Sequence, residues 1–75
     1  METVVILGWN IGFQKVEFTK LLRHELGYSL SEAKSKTDAV LDNQRIELKL
    51  QKAGVDQVIF KMILLGVKVA REEQE

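Results

Sequence analysis

The stretch from Lys15 to Lys34, KVEFTKLLRHELGYSLSEAK, leaves the chain few choices. Ser29 is followed three residues later by Glu32, the pattern of a capping box. The hydroxyl takes a backbone amide of the first turn, and the carboxylate reaches back to the amide of the cap. A helix therefore starts at Leu30. Gly27 lies just before it, and glycine is the residue that ends a helix at positive φ without a steric penalty. The stretch predicts two helices, about Gln14 to Leu26 and Leu30 to Leu41, with a tight turn at Gly27-Tyr28. At about 100° per residue, Phe18, Leu21, Leu22 and Leu26 gather on one side of the first helix. Val16, Thr19, Lys20 and Arg23 gather on the other. Glu25 falls on the apolar side and, close to the helix end, is expected to turn out to water. In the second helix Leu30, Ala33, Thr37, Val40 and Leu41 follow helical spacing. They are modest in size, so this helix is expected to be pinned mainly to the first.

Strands flank the pair. Residues 2–7 are an apolar run rich in β-branched side chains, which predicts a central strand buried on both faces or nearly so. Gly8-Trp9-Asn10-Ile11-Gly12 reads as a loop. Trp9 and Ile11 are expected to lid the end of the core; the alternative is an exposed contact loop beside the first helix. Asp42-Asn43 is a turn. Residues 44–51 then alternate strictly, Ile46, Leu48 and Leu50 against Arg45, Glu47 and Lys49. That predicts a strand with one wet face, and its lysine suits a sheet edge. Lys52-Ala53-Gly54 reads as a loop. The valines and isoleucines of residues 55–65 permit a strand, but Gly54 and Gly66 punctuate the segment as a helix. Val67 to Arg71 reads as a last strand and residues 72–75 as a frayed tail. The order strand-helix-helix-strand-helix-strand predicts an α+β fold, a three-stranded sheet with helices on one face. Residues 1–75 make a single domain.

The chemistry of the side chains narrows the function. Eleven basic and eleven acidic residues leave no net charge, whereas a general nucleic-acid binder needs a large positive excess. There is no cysteine, so thiolate metal sites and disulfides are excluded. No apolar run approaches the roughly 20 residues of a membrane span. The N-terminus lacks the basic region and cleavage site of a signal peptide, so a cytoplasmic location is expected. His24 is the single histidine and sits on a helix surface, without a nucleophile in any recognisable triad. Glu2, Glu17, Glu25, Glu32 and Glu47 show no metal-site spacing. The glycines form neither a dinucleotide fingerprint nor a P-loop. The expectation is a protein that is not an enzyme, holds no cofactor or metal, and acts by binding.

Lys15-Val16, Lys20, Arg23, Gly27, Leu30 and Glu32-Ala33-Lys34 form a pattern that resembles the C-terminal domain of the bacterial ribosomal stalk protein, which recruits translation factors. A looser match continues to about Val69. The resemblance implies the same order of elements. It also implies that the matching positions contact translational GTPases or the ribosome. On that basis Val16, Thr19, Lys20, Arg23 and Lys34 are the expected partner-binding residues. The valine supplies apolar contact, and the cations meet an acidic patch and raise the encounter rate. Two positions depart from the family. Thr19 stands where an isoleucine is usual, and His24 stands where a small residue is usual, so the contact is less apolar and bulkier. The sequence starts at the first strand, without the dimerisation domain and hinge of the full stalk protein, so either an excised domain or a stand-alone relative is expected, and the lack of Ala/Gly-rich hinge residues favours the latter. Without the resemblance, the same residues read as a solvated helix face. An adaptor of the Clp protease has a related architecture, but its pocket needs acidic groups before the first helix. The segment from Trp9 to Gln14 has no carboxylate, which weakens that alternative.

The third helix carries a second candidate surface. Val55, Val58, Ile59 and Met62 share one face and should pack on the sheet. Phe60, Ile63 and Leu64 fall on another, and Lys61 is the single cation of the helix. An apolar second face marks an interface, so Phe60, Ile63 and Leu64 are expected to mediate self-association, most simply as a twofold dimer. The alternative is that Phe60 and Leu64 tuck under a loop.

Overall fold

The computed structural model of the chain describes residues 2–50 and 54–72. Its elements are β1 (Glu2–Trp9), α1 (Lys15–Leu26), α2 (Leu30–Leu41), β2 (Ile46–Leu50), α3 (Val55–Leu64) and β3 (Val67–Glu72). The strands form one sheet in the order β2-β1-β3, with both pairs antiparallel. One apolar cluster joins Val4 and Ile6 of β1, Leu48 of β2 and Val67 of β3 to Phe18 and Leu22 of α1, Ala33 and Val40 of α2, and Met62 of α3. All three helices therefore cover the same face of the sheet, and the α+β architecture is the one read from the order of elements.

β1 is central because it has apolar residues for both faces. Val4 and Ile6 enter the core under the helices. Val5 is only 1 % exposed on the opposite face, where it lies between its cross-strand partners Glu47 and Ala70. β2 forms one edge of the sheet as its charges suggest. Leu48 and Leu50 are buried while Glu47 and Lys49 stay exposed. The strand is shorter than the alternation proposed at its start. Gln44 is drawn into the turn after α2, its amide donating to the Ala39 carbonyl at 2.9 Å, and Asn43 takes a positive φ of 61°.

The first glycine-rich stretch corrects the sequence reading. β1 does not stop at Leu7 but runs to Trp9. A bulge makes this possible. Ile6 pairs with Val69 and Gly8 with Lys68, so Leu7 is an extra residue on β1. The shift moves Trp9, opposite Val67, onto the helix side, since facing residues of paired strands share a face. There its ring lies 6.4 Å from Phe13, which in turn meets Phe18 edge-on at 5.6 Å. Trp9 thus helps close the end of the core, but from a strand. Ile11 does not: it is fully exposed.

Helix ends follow the local chemistry. The capping box at Ser29 is complete: the Glu32 amide donates to the Ser29 hydroxyl at 3.2 Å, and the Glu32 carboxylate accepts from the Ser29 amide at 3.4 Å. Gly27 ends α1 at φ 73°. Gly66 follows α3 at φ 92°, and a Cβ there would lie 2.9 Å from the Phe13 Cα. Only glycine satisfies both the backbone angle and the close approach. The junction also ties the turn before α1 to the end of α3. The Asn10 amide donates to the Gly66 carbonyl at 2.8 Å, and the Gln14 amide to the Leu65 carbonyl at 2.9 Å.

Two charged contacts correct expectations further. Glu25 does not simply turn out to water; its carboxylate accepts from Lys61 of α3 at 2.5 Å. Glu2, in the apolar opening run, is buried and accepts from Arg71 Nε at 3.0 Å, while Arg71 also pairs with Asp56 in the first turn of α3. β3 extends to Glu72, one residue into the proposed tail. The rest of that tail and the Lys52-Ala53 part of the proposed loop lie outside the described residues. Among the described residues no helix is long and apolar enough to cross a membrane.

Candidate partner-binding face

α1 and α2 run back from the Gly27 turn as a pair, and the resemblance-derived residues fall on and around it. The pair is fastened by two hydroxyls. Thr19 Oγ1 lies 2.7 Å from Thr37 Oγ1. Thr19 Oγ1 is also 2.9 Å from the Lys15 carbonyl, and Thr37 Oγ1 is 2.9 Å from the Ala33 carbonyl. Two hydroxyl protons serve three contacts, so one hydroxyl donates across the pair while the other donates to its own helix. Placing such a link between two helices fixes their register as a larger apolar contact would elsewhere.

Beside this link lies a shallow groove of about 240 Å³, lined by Lys15, Val16, Thr19, Lys34, Thr37 and Leu41 together with Asp38. Val16 is 59 % exposed at its edge. The valine cannot turn inward, because Phe18, Leu21 and Leu22 already take the buried side of α1. Lys34, on the first half of α2, reaches the same groove as Lys15 and Val16. The structure thus brings Val16, Thr19 and Lys34 together from two helices.

Thr19, Lys20 and Arg23 depart from the simple stripe read from the helical wheel. Thr19 is half-buried and committed to Thr37 rather than presented to a partner. Its hydroxyl is what an isoleucine at this position would lack, and this helix pair uses it for its own assembly. Lys20 is exposed and leans toward the other side of α1, where it pairs with Glu17 at 3.6 Å and lines a groove between α1 and α3. Arg23 is exposed on α1 one turn beyond Thr19. The stripe is also not uniformly basic: Asp38 stands inside the α1–α2 groove and Glu17 beside Lys20. His24 is exposed and lines the α1–α3 groove instead.

Sequence reasoning missed the residues that surround the turn. Lys36 lies 4.9 Å from the centre of the Tyr28 ring, a cation–π contact within α2 and its cap. Partial burial, and then the nearby Glu32 carboxylate, push the Tyr28 hydroxyl above its usual pKa of 10.0. Tyrosine as a turn residue and lysine eight positions later give no periodic sign of each other. Among the described residues no three His, Cys, Asp or Glu side chains cluster as a metal site would require.

Phe60, Ile63 and Leu64 of α3 are 62 %, 56 % and 64 % exposed. Phe60 and Leu64 do not tuck under a loop. Val55 and Met62 are buried against the sheet, and Val58 and Ile59 pack on the core, as the helical period requires. Comparison with protein-family models, curated proteins and solved structures finds no match for the chain.

Proposed function

We propose that this chain is a non-enzymatic protein-binding domain that meets its partner through the α1–α2 face, in the manner of the ribosomal stalk domain it resembles, with a translational GTPase as the partner. The observation that carries the reading is Val16. An aliphatic side chain stands mostly exposed beside a groove framed by Lys15 and Lys34. Exposed Arg23 continues the cationic surroundings along α1, while Lys20 stands on the far flank beside Glu17. Such a face suits an acidic surface carrying one apolar anchor, where charge speeds the encounter and the anchor gives dwell time. The order of elements is the one the resemblance implies, and the threonine link holds the two helices in fixed register. Thr19 makes the face less apolar than the family pattern, and Asp38 sets an acid within its groove, which points to a weak, transient contact.

The test is capture of a purified bacterial translational GTPase in its GTP-bound form, at low and at raised salt. Arg23→Glu with Lys34→Glu should abolish capture while leaving the fold intact by circular dichroism. Wild-type binding should weaken with salt, because exposed charges are screened over roughly 10 Å at 0.1 M. Equal capture by the double variant and the wild type would reduce this face to a solvated helix surface.

A further inference from the structure

From the α3 side of the molecule, we infer that a second copy of this chain docks on the exposed face of α3 beside the α1–α3 groove, forming a twofold dimer through Phe60, Ile63 and Leu64. This surface is separate from the α1–α2 groove, and the inference does not rest on the proposed translational partner.

The groove measures about 370 Å³, and its apolar lining is Leu21, Leu64 and Leu65. Phe60 lies one turn before Leu64 on the same side of α3, since residues four apart on a helix are neighbours. The exposed Phe60 ring therefore lies next to Leu64, beside the groove rather than within it. An antiparallel pairing of α3 with its copy, centred near Met62, would set Phe60 of each chain against Leu64 of the other. A residue of one subunit then meets its counterpart's partner in both directions, which is the requirement of an isologous interface.

Ile11 is a fourth exposed apolar side chain, on the loop that meets the end of α3. Its loop is tied to the end of α3 by the Asn10–Gly66 and Gln14–Leu65 backbone bonds, and the side chain is fully exposed. Side chains of this kind bring on the order of 200 Å² each when fully exposed. At the exposures found, the four together offer about 500 Å² per subunit. Two copies thus reach about 1,000 Å², the lower bound for a specific interface.

The charges favour a second copy over a charged partner. The rim holds Glu17 with Lys20 and Glu25 with Lys61, two acids and two bases already arranged as pairs. Such a rim repels neither sign and can exchange partners across a twofold axis, Lys61 of one chain taking Glu25 of the other. With eleven basic and eleven acidic residues, two whole chains also approach without net repulsion.

Sedimentation equilibrium across several concentrations tests the inference. The wild type should pass from monomer to dimer with a Kd on the order of 10 µM. Phe60→Asp and Leu64→Asp, both at exposed positions, should each weaken association by about tenfold or more. Amide chemical shifts of the wild type on dilution give a second readout that needs no variant. They should move in α3 and in the α1 residues lining the groove. Three results would each overturn the inference: a monomer at every concentration, association unchanged in both variants, or dilution shifts confined to the β2 edge or the open face of the sheet.

Discussion

The α1–α2 face and the outer face of α3 both leave apolar side chains in water, yet they differ in what surrounds them. Val16 is a small anchor amid Lys15, Lys34 and Asp38, on a helix pair joined by two hydroxyls. Phe60, Ile63 and Leu64 are three large anchors with a neutral, internally paired rim. A valine among charges gains little from burial by itself, so the recognition proposed there rests on the partner's charge. Three large apolar groups gain from burial against almost any apolar surface of fitting shape, at about 25 cal/mol per Å². One face is suited to selective, salt-sensitive contact and the other to contact with an apolar, self-complementary surface.

The two glycines that shape these faces separate them most sharply. Gly66 holds the α3 junction at positive φ against the Phe13 backbone, whereas nothing lies within 4 Å of a Cβ built on Gly27. Gly66→Ala combines backbone strain with a clash and should cost about 2–4 kcal/mol. Gly27→Val carries the strain without the clash and should cost about 1 kcal/mol or somewhat more. Thermal melts would show the order. For a domain of this size each kcal/mol moves the midpoint by about 4–8 °C. If Gly27→Val proved as damaging as Gly66→Ala, the close approach at Phe13 would not be what sets Gly66 apart.

Breaking the threonine link comes next in size. Thr19→Val removes one hydroxyl, after which Thr37 can still donate to the Ala33 carbonyl. The cost should be about 0.5–1.5 kcal/mol by chemical denaturation. The change should loosen α1 against α2 and leave concentration-dependent sedimentation untouched. A variant as stable as the wild type would show that the link merely accompanies the packing of the pair.

These contrasts also explain which parts of the molecule could be read from sequence. The capping box at Ser29, the alternation of Ile46 to Leu50 and the stop at Gly66 are local, and each specified its element. The exposure of Phe60, Ile63 and Leu64 followed from helical period alone. What stayed hidden depends on a distant partner. The bulge at Leu7 exists because β3 pairs with β1 in two registers. Glu25 looked misplaced until Lys61, 36 residues away, supplied its counter-charge. Thr19 looked available for binding until Thr37 claimed it. Period shows which side of a helix faces inward, but not which neighbour lies against its flank. The resemblance named Val16 and Lys34 from separate helices, and the turn at Gly27 brings both to one groove.

The smallest effect concerns the turn itself. Tyr28 has a raised hydroxyl pKa, caused first by burial and second by Glu32. Folding therefore favours the neutral phenol. Its contribution is fully present below the unfolded value of 10.0 and is lost as pH rises through the higher folded value. Wild-type stability should fall faster above pH 10.0 than that of Tyr28→Phe, which has no proton to lose there. Parallel curves for the two proteins would remove the linkage.

The central claim, that the α1–α2 face meets the partner, is tested most directly by following backbone amides during titration with a purified, GTP-bound translational GTPase. Resonances of Lys15, Val16 and Lys34 should shift or broaden first, while those of Phe60, Ile63 and Leu64 hold the positions set by protein concentration alone. Perturbation confined to α3, or a spectrum unchanged by excess GTPase, would contradict the account.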